Sequence, residues 1–474
     1  MFIKFILNKP YKHIIRGAEI NEKNFAILII VSIIAFPLLE IIGMFFGKKF
    51  FLQEEYLSLV GIIGIILTIL GIINKFKNKD EKRFVLSDIF IITSIIFCII
   101  SIIFSQLPSI SLTGIRGYSE TPLQVLGYFT LFFSGTCVLS EKYRKWILNT
   151  FLALGIIEAI VAFMQNFKMW PVTSVYDPGW HTQDHLAFGL TQHCNFFAPI
   201  AIIFTALFSM SFIYSQSKKE QFICLFGAIV SCLSTFFTYT RIGWVGIFAV
   251  LFGIVLLETL LYFVKKDKQF FKQKAIKTLI IAISFVICFF VVGNTSGQIK
   301  KDVEQSKKEI TSKNVESFGT GRGFIWKSGI TALKKYPFTG VGFDFYNYSY
   351  IIATGNFFNQ NKGHNEYLHT FVTQGIFSGI NYMLLAFYCC FFALKKILKG
   401  DSEFAKSNIT KFFLIALFTY FVQALFNSSV TNVAVYKWIL MGLVLPRLEQ
   451  NNLEKYLVKI KELSKKDVSF GKKK

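Results

Sequence analysis

The chain has 474 residues, of which 53% are hydrophobic, and a mean hydropathy of +0.51. Water-soluble domains do not carry that much apolar surface, so the soluble fold classes are excluded. A formal charge of +23 would point to nucleic acid in a soluble protein, but here the lysines flank long apolar runs, which is membrane-protein patterning and implies no nucleic-acid partner.

In chain order the apolar runs predict spans at 25–46, 56–73, 88–107, 123–139, 147–166, 194–214, 222–239, 243–264, 278–293, 370–394, 412–427 and 433–446. Each is near the ~20 residues that cross a hydrocarbon core. The expected fold is therefore an all-α polytopic membrane protein of about twelve transmembrane helices. An even number of spans puts both termini on one side. Of the 51 Lys and Arg, 35 lie in the segments of that side: 1–24, 74–87, 140–146, 215–221, 265–277, 395–411 and 447–474. The short loops of the other face hold only Lys48, Lys49, Arg116, Lys168, Arg241 and Lys437. Short basic loops resist translocation, so both termini are expected in the cytoplasm and the chain in the inner or cytoplasmic membrane. The expected organisation is a single integral membrane domain over 1–474. A large extracytoplasmic loop at 294–369, with short helices of its own, precedes span ten, and a basic cytoplasmic tail occupies 447–474. The opening "MFIKFILNKPYKHIIRG" has no small-residue cleavage site after an apolar core, so it does not read as a removed signal.

Eight cysteines make no framework: seven fall inside predicted spans, only Cys194 lies near the outer surface, and no CxxC pair suggests zinc or redox chemistry. The informative polar residues gather on the outer face. Arg116 lies in "PSISLTGIRGYSETP", Arg241 at the tight "TYTRIGWVG" junction of spans seven and eight, and Arg322 in the long loop. Charge statistics disfavour arginine there. A guanidinium fork matches a phosphate or diphosphate bidentately, so three arginines on one face suit a lipid-linked diphosphate; the alternative for each is a lipid headgroup or a loop carboxylate. Residues 322–335 predict a short amphipathic helix with Trp326, Ile330 and Leu333 on one stripe and Pro337 as its stop. Arg322 then begins a helix entered through Gly319-Thr320-Gly321, where free N–H groups and the dipole favour an anion, although such helices also lie flat on bilayers.

"GHNEYLH" places His364 and His369 at the entrance to span ten. Read as one helix, they are about 140° apart in projection and cannot share a zinc ion. His364 falls at the expected helix start, where the dipole disfavours imidazolium; a neutral ring there can accept a proton from a hydroxyl. Capping the loop backbone is its alternative role, and His369 reads as structural. His181 and His185 have metal-like spacing around Asp184, but "DPGWHTQDH" is turn-rich, so no metal is expected. Glu158 is the clearest carboxylate inside a span; alone it does not make a proton path.

These residues carry a family resemblance. "TRIGW", "GRGFIWKSGITALKKYPFTGVGFDFY", "FGLTQHCN" and "HNEYL…QGIFSG" resemble segments of the O-antigen ligase and polymerase superfamily of bacterial cell-envelope enzymes, with the span count, termini and outer loop in agreement. The family ending is H-N followed nine residues later by G-x-x-G; here Gly375 follows His364-Asn365, but position 378 is Ser and the second glycine is Gly379. The resemblance implies a metal- and cofactor-free glycosyltransferase of the GT-C kind. Such an enzyme moves a glycan from a polyprenyl-diphosphate donor to the hydroxyl of a glycan or glycolipid acceptor at the outer face of the bilayer, for surface polysaccharide assembly. Carried onto this chain, it implies His364 as the base, Arg322 and Arg241 as the diphosphate clamp, and Arg116, Asn365, Asn195 and Trp326 as substrate-binding residues. Ligase or polymerase stays open. A twelve-span secondary transporter and a non-catalytic polysaccharide-assembly component are the competing readings; a transporter would place its polar residues at midmembrane.

Overall fold

A computed structural model of the chain describes residues 22–45, 51–77, 85–114, 120–170, 186–191, 193–296, 304–305, 307–309, 311, 316, 318–358 and 361–450. Among the described residues the regular structure is helical and contains no strand. The helices are α1 (Glu22–Phe45), α2 (Phe51–Lys77), α3 (Leu86–Ile103), α4 (Pro108–Thr113), α5 (Pro122–Thr136), α6 (Glu141–Asn166), α7 (Cys194–Tyr214), α8 (Lys218–Phe237) and α9 (Arg241–Lys265). After them come α10 (Lys268–Ser296), α11 (Phe318–Lys335), α12 (Tyr348–Thr354), α13 (Glu366–Gln374), α14 (Ile376–Lys399), α15 (Glu403–Lys406), α16 (Asn408–Gln423) and α17 (Thr431–Leu443).

Each of the twelve predicted spans falls on this helical framework. By length and apolar composition, α1, α2, α3, α6, α7, α8, α9, α10 and α14 can cross a membrane. The remaining three, α5, α16 and α17, have 15, 16 and 13 residues, below the ~20 of a full crossing. Their sides are covered by neighbours: α5 packs on α2 and α17, and α16 packs on α7 and α9. At the centre stands α7, buried along almost its whole length. The outward faces are apolar instead of charged: Ile92, Ile96 and Ile99 on α3, Phe248 and Phe252 on α9, and Ile283, Ile287 and Phe290 on α10 are all exposed. Apolar surface on the outside is what a helix bundle in hydrocarbon requires.

The prediction of one continuous span at 370–394 needs correction. The chain breaks at Gly375 into α13 and α14. Gly375 has φ +84°, and a Cβ there would lie 2.2 Å from the Phe338 carbonyl oxygen, so only glycine lets the two segments meet. The Ile376 N–H then donates to Pro337 O at 2.7 Å. Gly340, φ +68°, lies equally close to the backbone of Thr373 and Gln374. Two backbone bonds follow, Val341 N–H to Val372 O at 2.9 Å and Gly342 N–H to Thr373 O at 3.2 Å. From α3, the Ser101 hydroxyl also donates to Thr373 O, at 2.7 Å. The "YPFTGVGF" segment is thereby docked on α13 and on the end of α3.

The bundle has two ends. One is tied by Asp88 with Arg447, Lys396 with Glu449, and Arg144 with the Leu443 carbonyl. The opposite end collects the N-termini of α7 and α9, the α16–α17 connection, and α11 to α13.

Candidate active site

His364 sits in this second end, but not where helical projection puts it. Asn365 is the N-cap of α13, its side-chain oxygen accepting from Leu368 N–H at 2.9 Å. His364 precedes the cap with φ +45°, a left-handed conformation unusual for a side chain with a Cβ. The 140° separation from His369 therefore does not apply. Asn365, expected to bind substrate, spends its side-chain oxygen on capping.

Four attachments hold the strained turn. From α11, the Trp326 indole N–H donates to Gly363 O at 3.0 Å. From the α16–α17 connection, Ser428 Oγ accepts from His364 N–H at 3.0 Å. The Glu366 N–H bonds Ala424 O at 2.9 Å. Beneath, Glu366 is buried in an ion pair with Lys437, while Tyr382 and Tyr420 donate to its two oxygens at 2.5 and 2.8 Å. The fourth is Asp344, whose carboxylate meets Lys362 Nζ at 2.9 Å and His369 Nε2 at 2.5 Å, one on each side of His364 along the chain. Asp344 also accepts from the Glu120 N–H at 2.5 Å. Burial by itself raises a carboxyl pKa, yet the Lys362 ammonium and His369 hold Asp344 below its ordinary value. His369 stacks on Tyr346 with centroids 5.5 Å apart, so its ring is used in packing and in anchoring Asp344. The His364 ring faces another environment. Its pKa is lowered to about 4, first by burial, then by the charge of Arg322, with His193 and His369 adding to it. The neutral ring expected from the helix dipole thus has a different main cause.

Arg241 is the first residue of α9, directly after the cap Thr240, whose hydroxyl accepts from Gly243 N–H at 3.2 Å. Its fork is occupied: Nη1 and Nη2 donate to the two oxygens of Glu309 at 2.7 and 3.2 Å. The loop-carboxylate alternative holds for this arginine. Glu309 also accepts from Gly319 N–H at 3.0 Å, so it bridges α9 and α11. Arg241 lowers the Glu309 pKa and keeps it ionised. Arg322 feels both: burial and the like charge of Arg241 lower its pKa, and Glu309 opposes them. Arginine stays cationic at neutral pH regardless. The helix bearing Arg322 starts at Phe318, four residues earlier than predicted. Its packed face is also rotated from the expected stripe, because Ser328, Gly329 and Ala332 are buried while Ile330 is exposed. Small residues there admit the Tyr346 hydroxyl, which donates to Ile325 O at 2.9 Å.

Asn195 lies in the first turn of α7. Its N–H donates to His193 Nδ1 at 3.1 Å and its carbonyl accepts from Asn427 at 2.8 Å. Glu158 is no proton path: it accepts from Leu190 N–H at 2.9 Å, and Gln165 bonds the Gly189 carbonyl and the Phe188 and Gly189 N–H groups, pinning the "FGL" approach to His193. Arg116 and the residues from His181 to His185 lie outside the described residues. Among the described residues, no group of three or more His, Cys, Asp or Glu is placed to hold a metal. Glu309, His193, Ser428 and Asp344 were not singled out from sequence, although His193 and Asp344 stand in quoted motifs.

Beside Asn365 and Leu368 opens a cavity of about 750 Å³, almost wholly apolar. Leu257 of α9, Phe371 of α13, Phe387 of α14 and Phe418 of α16 are among its walls.

Helical framework, apolar exterior and a cationic, histidine-bearing end together define a polytopic α-helical membrane protein with a polar site at one end of its bundle. Residues 226–383, about a third of the chain, match the family model described as O-antigen ligase, which supports the resemblance to the O-antigen ligase and polymerase superfamily. An uncharacterized protein of Haemophilus influenzae is 24% identical over 380 residues, 77% of this chain and 86% of that protein. That match supports ligase- or polymerase-type function on lipid-linked glycans in a membrane.

Proposed function

We propose that the chain transfers a glycan from a polyprenyl-diphosphate donor to an acceptor hydroxyl at the outer face of the cytoplasmic membrane, without a metal, in the manner of GT-C enzymes. The observation that carries this is the Trp326 bond to Gly363 O at 3.0 Å, which ties the helix of Arg322 to the turn of His364, whose pKa burial and the Arg322 charge lower. One group accepts a proton while the other attracts an anion. The acceptor oxygen attacks the sugar carbon and gives its proton to His364; the bond from that carbon to the diphosphate oxygen breaks, and the electron pair leaves on the diphosphate. Arg322 and Arg241 stabilise the charge that develops there. Trp326 and Asn365 set the position of His364, and Asn195 the approach of α7. The apolar cavity beside Asn365 suits the isoprenoid chain. The test is transfer in vitro from a purified polyprenyl-diphosphate glycan with chelator present; loss of transfer on chelation alone refutes the metal-free route.

Orientation has its own test. Lys327 has a side chain 67% exposed, in the loop assigned to the outside. A cysteine placed at 327 reacts with an impermeant thiol reagent in intact cells if the termini are cytoplasmic; labelling only after lysis reverses the topology.

The pH profile tests the base. His364 serves only when neutral, and with a pKa near 4 it stays neutral at every higher pH. The profile of kcat/KM, which reports the free protein, therefore lacks an acid limb at the ordinary imidazole value of ~6.5. A bound diphosphate offsets Arg322 and favours imidazolium, so the acid limb of kcat lies at higher pH than that of kcat/KM. An acid limb near the ordinary imidazole value in kcat/KM removes His364 from this role.

A further inference from the structure

Arg241 is not an empty fork waiting for an anion. Both of its terminal nitrogens already hold a carboxylate, at 2.7 and 3.2 Å, and that carboxylate takes a third donor from the Gly319 backbone at 3.0 Å. Paired N–H groups meeting paired oxygens is the geometry by which arginine grips a phosphoryl group. The pair is half-buried, with side-chain exposures of 24% for Arg241 and 8% for Glu309. Glu309 reaches the second arginine as well, since its charge acts on Arg322.

We infer that Glu309 is a specificity-determining residue: it occupies the anion site so that a singly charged phosphodiester cannot, and a diphosphate displaces it. This rests on the proposed diphosphate role of Arg241 and Arg322. A site with two arginines at a membrane surface stands among phospholipid headgroups at very high local concentration, each carrying one negative phosphodiester. Were the fork open, these headgroups would fill it. With Glu309 in place, a headgroup exchanges one monoanion for another and strands the carboxylate without its partner. A diphosphate carries more charge and enough oxygens to engage Arg241 and Arg322 together, so it gains what the headgroup does not. Discrimination then comes from an interaction the wrong ligand must break, as specificity built against a competitor requires.

The experiment uses the full chain purified in maltoside micelles, which contain no phosphate. Inorganic diphosphate is titrated in, and short-chain phosphatidylglycerol is used to compete it off. For the wild type, the phosphatidylglycerol competes weakly. In Glu309→Gln, diphosphate, held by Arg322 as well, gains little, whereas the phospholipid gains the open Arg241 fork and competes at about tenfold lower concentration, a shift of the size one specific interaction confers. Glu309→Asp, which keeps the charge, restores most of the wild-type selectivity and separates a charge effect from misfolding. Unchanged selectivity in Glu309→Gln overturns the inference. So does a loss of diphosphate binding equal to that of Arg241→Lys, because Glu309 would then only be bracing Arg241. If diphosphate binding is indifferent to Arg241→Lys and Arg322→Lys as well, the assignment of the anion site itself is wrong and the inference falls with it.

Discussion

Replacing His364 with alanine lowers glycan transfer by about 10²–10⁴-fold, the usual worth of a general base, whereas His369→Ala keeps a substantial part of the activity. The structure gives each half of this expectation a cause. The His364 ring lies in the electrostatic reach of Arg322 and is kept neutral. His369 is turned toward Asp344 and Tyr346. Removing His369 withdraws one partner from Asp344 but leaves the Lys362 ammonium and the Glu120 N–H in place. The loss should therefore appear chiefly as a lower thermal midpoint, with transfer measured well below that temperature remaining. Transfer with chelator and a thermal scan on both variants decide the matter. A dead His369→Ala of normal stability, beside an active His364→Ala, would reverse the two roles.

The second large effect is expected from Arg322→Lys and Arg241→Lys. Lysine keeps the charge but not the planar fork, so each variant should lose about 10²–10³-fold in transfer rate while inserting normally into the membrane. Arg241 carries an additional consequence. Glu309 grips it with both oxygens, and a lysine at 241 meets that carboxylate as a single point charge. The bridge from α9 to Gly319 then loosens before any donor arrives. Rates of transfer at saturating donor, with membrane fractions checked for equal amounts of protein, measure the effect. Full activity in both lysine variants would remove the diphosphate clamp.

How much of this was legible in the sequence differs from element to element. The twelve apolar runs found their helices because a long hydrophobic stretch has one stable outcome in hydrocarbon, where each backbone group must be bonded within its own segment. The entrance to span ten was misread for a local reason. Helical periodicity carries straight through "HTFVTQGIFSG", and only the close approach of Phe338 to Gly375 shows that the helix must break there. His364 was assigned to a helix on the same grounds, whereas its left-handed backbone is held by Trp326 and Ser428, residues 38 and 64 positions away in the chain. Arg241 and Arg322 stood out because arginine is disfavoured on the face that the charge pattern leads one to expect outside. Glu309 did not, since a carboxylate in a polar loop is unremarkable until it is seen within a guanidinium fork.

By itself, then, the sequence determined the class of the protein, the place and order of its apolar runs, and which arginines and histidines are chemically out of place. Those properties depend on composition and on contacts a few residues apart, which hydrophobic length and residue type express directly. Tertiary structure alone decided which of these groups meet, His369 with Asp344 and Arg241 with Glu309, and that the charge of Arg322 acts on His364. Arg241 and Glu309 lie 68 positions apart and His369 and Asp344 25, and no periodicity in the chain records such a pairing. The pairings arise where helix ends and the long loop converge at one end of the bundle, and the charges and bonds found there fix the state of each group.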